Sequence, residues 1–82
     1  MEDNKGNMKN KNFDTWLAIG LNILHYRKEQ GLTQIQLAEK CGISRTYMQK
    51  IETAACSCTL DTLIDIAAAL NVPIKNLFEF KE

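Results

Sequence analysis

The chain has no run of 18 apolar residues, so it contains no candidate bilayer-spanning helix. Nowhere do apolar and polar residues alternate over the length of a strand, and no segment repeats another, which leaves helices as the regular structure to be built. There is one proline, Pro73, and one histidine, His25. An isolated His and scattered carboxylates supply neither an activated nucleophile nor a pair of poised acids, so no catalytic activity is expected. Three cysteines are too few for a disulfide scaffold, and their odd number is expected to leave free thiols. Neither sign of charge is in excess, since 10 Lys and Arg balance 10 Asp and Glu. The opening MEDNKGNMKNKN is polar and unlike a secretory signal, so a cytoplasmic location without a membrane partner is expected.

What is present is an 82-residue chain, 45% apolar, which suffices for one small core. Residues 1–12 are rich in Asn and Lys without apolar periodicity and read as a flexible arm, with residues 13–82 as the folded domain. A first helix is expected from Asp14 or Thr15 to about Glu29, stopped by Gly31. Trp16, Ile19, Ile23 and Tyr26 recur at helical spacing and should face the core. A second apolar row, Phe13, Leu17, Leu21 and Leu24, lies about 135° further round the cylinder. One core cannot easily cover both rows, so either the C-terminal part folds back over the second or a partner subunit does. His25 reads as a solvated residue.

The most informative stretch is TQIQLAEKCGISRTYMQKIE, Thr33 to Glu52. Thr33 and Gln36 have the spacing of a capping box that starts a helix. Leu37, Ala38 and Cys41 form a narrow apolar stripe, and Gly42 follows where a helix commonly ends left-handed. Ser44 can cap the next helix, on which Tyr47, Met48 and Ile51 crowd one side while Arg45, Thr46, Gln49 and Lys50 occupy the other. Two short helices joined through a Gly-containing turn make a helix-turn-helix unit, whose second helix can enter the DNA major groove.

Thr59 then caps a fourth helix with Leu60, Leu63, Ile64, Ala67 and Leu70 on its inner side and Asp61 near the positive end of its dipole. Asn71 suits a left-handed stop, and Pro73 suits the start of a short fifth helix over about 74–79 that presents Ile74, Leu77 and Phe78. The composition of this all-α chain thus predicts a compact five-helix bundle.

In sequence order, Arg27, Gly31-Leu32-Thr33-Gln34, Leu37-Ala38, Cys41-Gly42-Ile43-Ser44, Ile51-Glu52, Leu60 to Leu63, and Ala69-Leu70-Asn71-Val72 running on to Leu77-Phe78 together carry a resemblance. Over roughly residues 17–80 the chain resembles the Cro/C1-type (XRE) helix-turn-helix regulators, which implies a lambda-repressor-like DNA-binding domain. Arg45-Thr46-Tyr47 ahead of Ile51-Glu52 resembles, in particular, the controller proteins of restriction-modification systems. The resemblance implies a buried structural ion pair between Arg27 and Glu52, and phosphate contacts from Gln34, Ser44 and the Tyr47 hydroxyl. It also sets off TAACSC, after Glu52, as a departure from the Gly- or Asn-containing loop usual there; Thr53 to Ala55 could extend the third helix.

If the third helix enters the groove, Arg45, Thr46, Gln49 and Lys50 are the side chains able to reach base edges. Arg offers a fork to guanine O6 and N7, Gln can pair with adenine N6 and N7, and Thr can touch a thymine methyl. The net charge over residues 1–12, 13–52 and 53–82 is +1, +1 and −2. So little basic excess predicts weak binding by one domain, and a homodimer on two half-sites is expected. Leu17, Leu21, Leu24, Leu77, Phe78 and Phe80 are the candidate interface. Cys41 reads as a small buried hydrophobe, whereas Cys56 and Cys58 could be an ordinary loop or a pair for a soft metal or redox couple. No cofactor or small-molecule ligand is implied. The rival to a sequence-specific DNA-binding regulator is a protein-interaction module, such as an antitoxin-type partner, for which neutral net charge would be suitable.

Overall fold

A computed structural model describes residues 11–80; residues 1–10, most of the expected arm, lie outside that range. Four α-helices follow one another, α1 (Phe13–Glu29), α2 (Gln34–Cys41), α3 (Arg45–Glu52) and α4 (Leu60–Leu70), and a 3-10 helix (Ile74–Phe78) closes the series. None is long and apolar enough to cross a membrane.

The helix boundaries follow from local chemistry. Thr33 Oγ1 accepts from the Gln36 N–H at 3.0 Å while Gln36 Oε1 accepts from the Thr33 N–H at 2.9 Å, which is a complete capping box. Ser44 and Thr59 cap α3 and α4 through the Tyr47 and Thr62 N–H groups. All four helices end in the same way, with one residue in the left-handed region and the next N–H returning to a carbonyl five residues back. Those closing bonds run from Leu32 to Arg27, Ile43 to Ala38, Ala55 to Lys50 and Val72 to Ala67, at 2.8 to 3.1 Å. The left-handed residues are Gly31, Gly42, Ala54 and Asn71. Ala54 therefore stops α3 instead of extending it, because at φ +61° the chain has already left the helix.

Ile19 and Ile23 of α1, Leu37 and Ala38 of α2, Met48 and Ile51 of α3, and Leu63, Ile66, Ala67 and Leu70 of α4 form the core with Leu77. Trp16 and Tyr26 pack against it half-buried. The inner face of α4 differs from the expected one. Its buried stripe is centred about 70° from Leu60 and about 110° from Ile64 on the helical wheel, and these two residues stay 59% and 45% exposed. Ile66 takes the place assigned to them.

The short fifth helix is present, over Ile74–Phe78, and is of the 3-10 type. Five residues after Pro73 can close i to i+3 bonds, such as Asn76 N–H to the Pro73 carbonyl at 2.9 Å. The carbonyls that a longer helix would have used are captured from α1, where Asn22 Nδ2 donates to Leu77 O at 2.9 Å and Glu79 O at 3.0 Å. At the other end of α1, Gln30 Nε2 donates to the Leu70 carbonyl at 2.7 Å, supplying a partner to the end of α4.

One residue that periodicity does not reveal decides how closely α1 meets α3. Gly20 is buried, and a Cβ built there would lie 2.4 Å from the Glu52 carbonyl oxygen and 2.8 Å from that of Ile51. The last turn of α3 thus rests directly on the α1 backbone.

Candidate nucleic-acid interface

Glu52 closes α3, where the negative end of the helix dipole disfavours a carboxylate. Its burial is made tolerable by Arg27, whose Nε donates to Oε2 at 2.7 Å and whose Nη2 donates to Oε1 at 3.1 Å. The remaining guanidinium nitrogen, Nη1, donates to the Leu32 carbonyl at 2.9 Å in the turn before α2. Gln34 Nε2 adds a bond to Glu52 Oε1 at 2.9 Å. A single two-pronged pair therefore ties α1, the entrance to α2 and the end of α3 into one buried network.

That network changes the reading of Gln34. Its amide is turned inward as a brace, which leaves one amide hydrogen for a phosphate instead of a freely presented side chain. Ser44 is exposed; its oxygen accepts from the Tyr47 N–H, and its hydroxyl hydrogen is still able to donate outward. Tyr47 is half-buried, with its phenol close to Thr62 at the start of α4. Desolvation first, then the nearby Cys58 and Cys56 thiols, raise its pKa, against a smaller opposing effect of the Thr62 side chain. At neutral pH it is a phenol.

The outward row of α3 is uncovered. Arg45, Thr46, Gln49 and Lys50 are all exposed, while Met48 and Ile51 on the opposite side are wholly buried. Thr53 Oγ1 donates to the Gln49 carbonyl at 2.9 Å and so fixes the end of this row. Arg45 also borders an open cleft of about 560 Å³ whose other walls include Lys28, Thr33 and Gln34. Three cations, the Glu52-paired Arg27 together with Lys28 and Arg45, and several uncharged donors thus surround a concave surface where the end of α1, the start of α2 and the start of α3 meet.

Among the expected contacts between subunits, Leu77 is a correction: it is wholly buried, because the 3-10 helix folds it under α1 and α4. Leu17 and Leu24 are half-buried, and Leu21, Phe78 and Phe80 remain exposed. Cys41 is half-buried rather than fully enclosed, with burial and then Asp65 raising its thiol pKa. Cys56 and Cys58 are half-buried free thiols, and burial, followed by Cys56, pushes Cys58 up to about 11. Among the described residues no group of three or more Cys, His, Asp or Glu could hold a metal ion.

A family model described as helix-turn-helix matches residues 23–77, more than half of the chain. The control protein C.SmaI of Serratia marcescens is 43% identical over 56 residues, covering 68% of this chain and 67% of that protein. The crystal structure of the restriction-modification controller protein C.AhdI from Aeromonas hydrophila superposes with a TM-score of 0.79 at 25% identity, covering 84% of this chain and all of the other. The master regulator for biofilm formation SinR, solved in complex with DNA, superposes with a TM-score of 0.70 at 34% identity, covering 74% of this chain and 98% of that one. The chain spans between 40% and 67% of the length of the first relatives it matches. From the ordered caps, the buried Arg27–Glu52 pair and this match, the chain belongs to the helix-turn-helix family, in its Cro/C1-type (XRE) branch.

Proposed function

We propose that this protein is a transcriptional regulator that binds double-stranded DNA sequence-specifically as a homodimer, with α3 in the major groove. The observation that carries the reading is the split character of α3, one side wholly buried and the other presenting Arg45, Thr46, Gln49 and Lys50 to solvent. SinR, a relative of the same fold, was solved with DNA, which favours a duplex as the occupant of that face. Arg45, Thr46, Gln49 and Lys50 read base edges, whereas Ser44, the spare amide hydrogen of Gln34 and Tyr47 fix register on phosphates. The protein acts without catalysis or a cofactor, in the cytoplasm where its DNA is.

A net charge of zero limits the electrostatic part of the affinity. Pairing two half-sites about one helical turn apart supplies what a single α3 lacks. Selection of bound sites from random duplexes should return a palindrome. On that site Arg45→Ala should lose about 1 to 3 kcal/mol of preference over unrelated DNA, while Gln34→Ala should weaken both to similar extents. Equal losses on all sequences for both variants would refute base reading by α3.

A further inference from the structure

DNA binding by α3 leaves the segment Cys56-Ser57-Cys58, between α3 and α4, without a role. Burial alternates along it: both cysteines are half-buried against the core, and Ser57 is exposed. The two thiols therefore turn to the same, inner side of the chain. Their Cα atoms, two residues apart, are separated by no more than about 7 Å whatever path the backbone takes. At that separation two side chains on one face can bring both sulfurs to a single metal ion, since a metal–sulfur bond is roughly 2.3 Å long.

Both ends of the segment are fixed. The N–H groups of Ala55 and Cys56 return to the Lys50 carbonyl at 2.8 and 3.4 Å, and Thr59, next after Cys58, caps α4. A pair held in this way loses little freedom when it closes round a ligand. Cys58 also lines an open, largely apolar cavity of about 330 Å³ together with Trp16, Ile19, Leu63 and Phe78, so a ligand on its sulfur lies beside the single tryptophan of the chain.

The number and kind of donors select the ligand. Two sulfurs do not complete the four-coordinate site that zinc takes, and among the described residues no third Cys, His, Asp or Glu joins them. Thiolates favour soft cations such as Cu(I), which is satisfied by two sulfurs in line. An internal disulfide is the rival product. It forms by attack of a thiolate, and burial, followed by Cys56, pushes the Cys58 pKa up to about 11 and so keeps that thiol protonated. A cation between the sulfurs reverses this penalty, because a coordinated thiol loses its proton outright.

We propose that Cys56 and Cys58 form a two-thiolate site for a soft monovalent metal ion of the Cu(I) class, held in line between their sulfurs at the junction of α3 and α4. Binding is a proton exchange with no change of oxidation state: two thiols and one monovalent cation give an anionic bis-thiolate complex and two protons. The remaining negative charge lies at the start of α4, where the helix dipole favours it. The ion is an effector of the loop that closes α3 and takes no part in contacting DNA.

The whole chain is titrated under nitrogen with Cu(I) against bathocuproine disulfonate as competing chelator, and separately with Ag(I), a redox-inert ion of the same coordination. Wild type is compared with Cys56→Ser, Cys58→Ser, Cys58→Ala and Cys41→Ser, circular dichroism showing that each is folded. Cys58→Ala removes the sulfur without setting a hydroxyl against the apolar cavity. Cys41 is the control, because its thiol sits by the Asp65 carbonyl, roughly 9 Å further along α4 than the Thr59 cap. Wild type and Cys41→Ser should each take up one ion per chain, release two protons, gain thiolate-to-metal absorption and lose Trp16 emission to the heavy Ag(I). Losing either thiol of the pair replaces a chelate with a single contact, so affinity should fall about a hundredfold or more. The bound ion should also raise the Tm of wild type and leave that of the three pair variants unmoved. Affinity retained in any pair variant, equal loss in Cys41→Ser, one ion shared by two chains, uptake of Ag(I) without quenching of Trp16, or no uptake by wild type would each overturn the site.

Discussion

Replacing Gly20 with Ala sets two well-understood effects against each other with opposite signs. In a helix interior Ala is favoured over Gly by about 0.8 to 1 kcal/mol, so propensity alone makes Gly20→Ala stabilising. The packing says otherwise. A methyl at position 20 would meet the Glu52 carbonyl oxygen at 2.4 Å and the Ile51 oxygen at 2.8 Å, so α1 and the end of α3 must part by at least about 0.6 Å to reach even a tight contact of 3.0 Å. Those atoms are backbone and cannot rotate away. Separating the helices there stretches the 2.7 and 3.1 Å bonds between Arg27 and Glu52 and loosens Ile19 and Ile23 from the shared core. Overpacking of this kind costs about 1 to 3 kcal/mol, and more where the network also yields. The expected net result is destabilisation by about 1 to 3 kcal/mol, a fall in Tm of about 4 to 24 °C for a chain this small. Thermal melting followed by circular dichroism reads it directly. A Tm equal to or above that of wild type would show that α1 and α3 are not in backbone contact, and the placement of α3 by Gly20 would have to be abandoned.

Two further substitutions follow from the loop after α3. An L-residue held left-handed costs about 1 to 2 kcal/mol, so Ala54→Gly should stabilise by roughly 0.5 to 1 kcal/mol after the added unfolded-state freedom of Gly is deducted. Ala54→Val should destabilise, and melting curves with the same order for all three residues would contradict the φ of +61°. For pH, the Cys58 thiol is raised from an ordinary value of 9.0 to about 11, so the folded state holds its proton more tightly than the unfolded state. Its contribution to stability is therefore fully present below pH 9 and is lost as pH rises towards about 11. Urea midpoints of wild type should fall across that window, and the fall should be shallower in Cys58→Ser, with Tyr47 and Cys41 supplying the remaining slope in the same direction. Identical slopes for the two proteins would rule out burial as the cause.

Where physical signals are local, the sequence already contains them. Thr33 with Gln36, Ser44, Thr59, Gly31, Gly42 and Asn71 act through neighbours three to five residues away, and each stands at the boundary that its chemistry implies. Ala54 escaped notice because Ala carries no left-handed signal; that position is imposed by the closing bond from Ala55 to Lys50 and by the chain that must reach α4. Gly20 is silent for a different reason, since a glycine inside a helix is informative only once the facing backbone is known. Leu60 and Ile64 fit a helical apolar stripe as well as Ile66 does, and periodicity cannot say which edge of a wide stripe the core will take.

The same distinction governs the candidate nucleic-acid interface. Exposure of Arg45, Thr46, Gln49 and Lys50 could be read from α3 alone, because Met48 and Ile51 leave that side unused. The inward turn of Gln34 could not, because it depends on Glu52 being brought eighteen residues back along the chain to the entrance of α2. Once there, the buried carboxylate recruits three donor groups from α1 and α2, and their common acceptor is the last residue of the helix proposed to read DNA. A buried charge with several well-placed donors tolerates little displacement, since any lost bond leaves it uncompensated. Orientation of α3, the helix proposed to enter the groove, is therefore set from behind by an ion pair on the side opposite its exposed row.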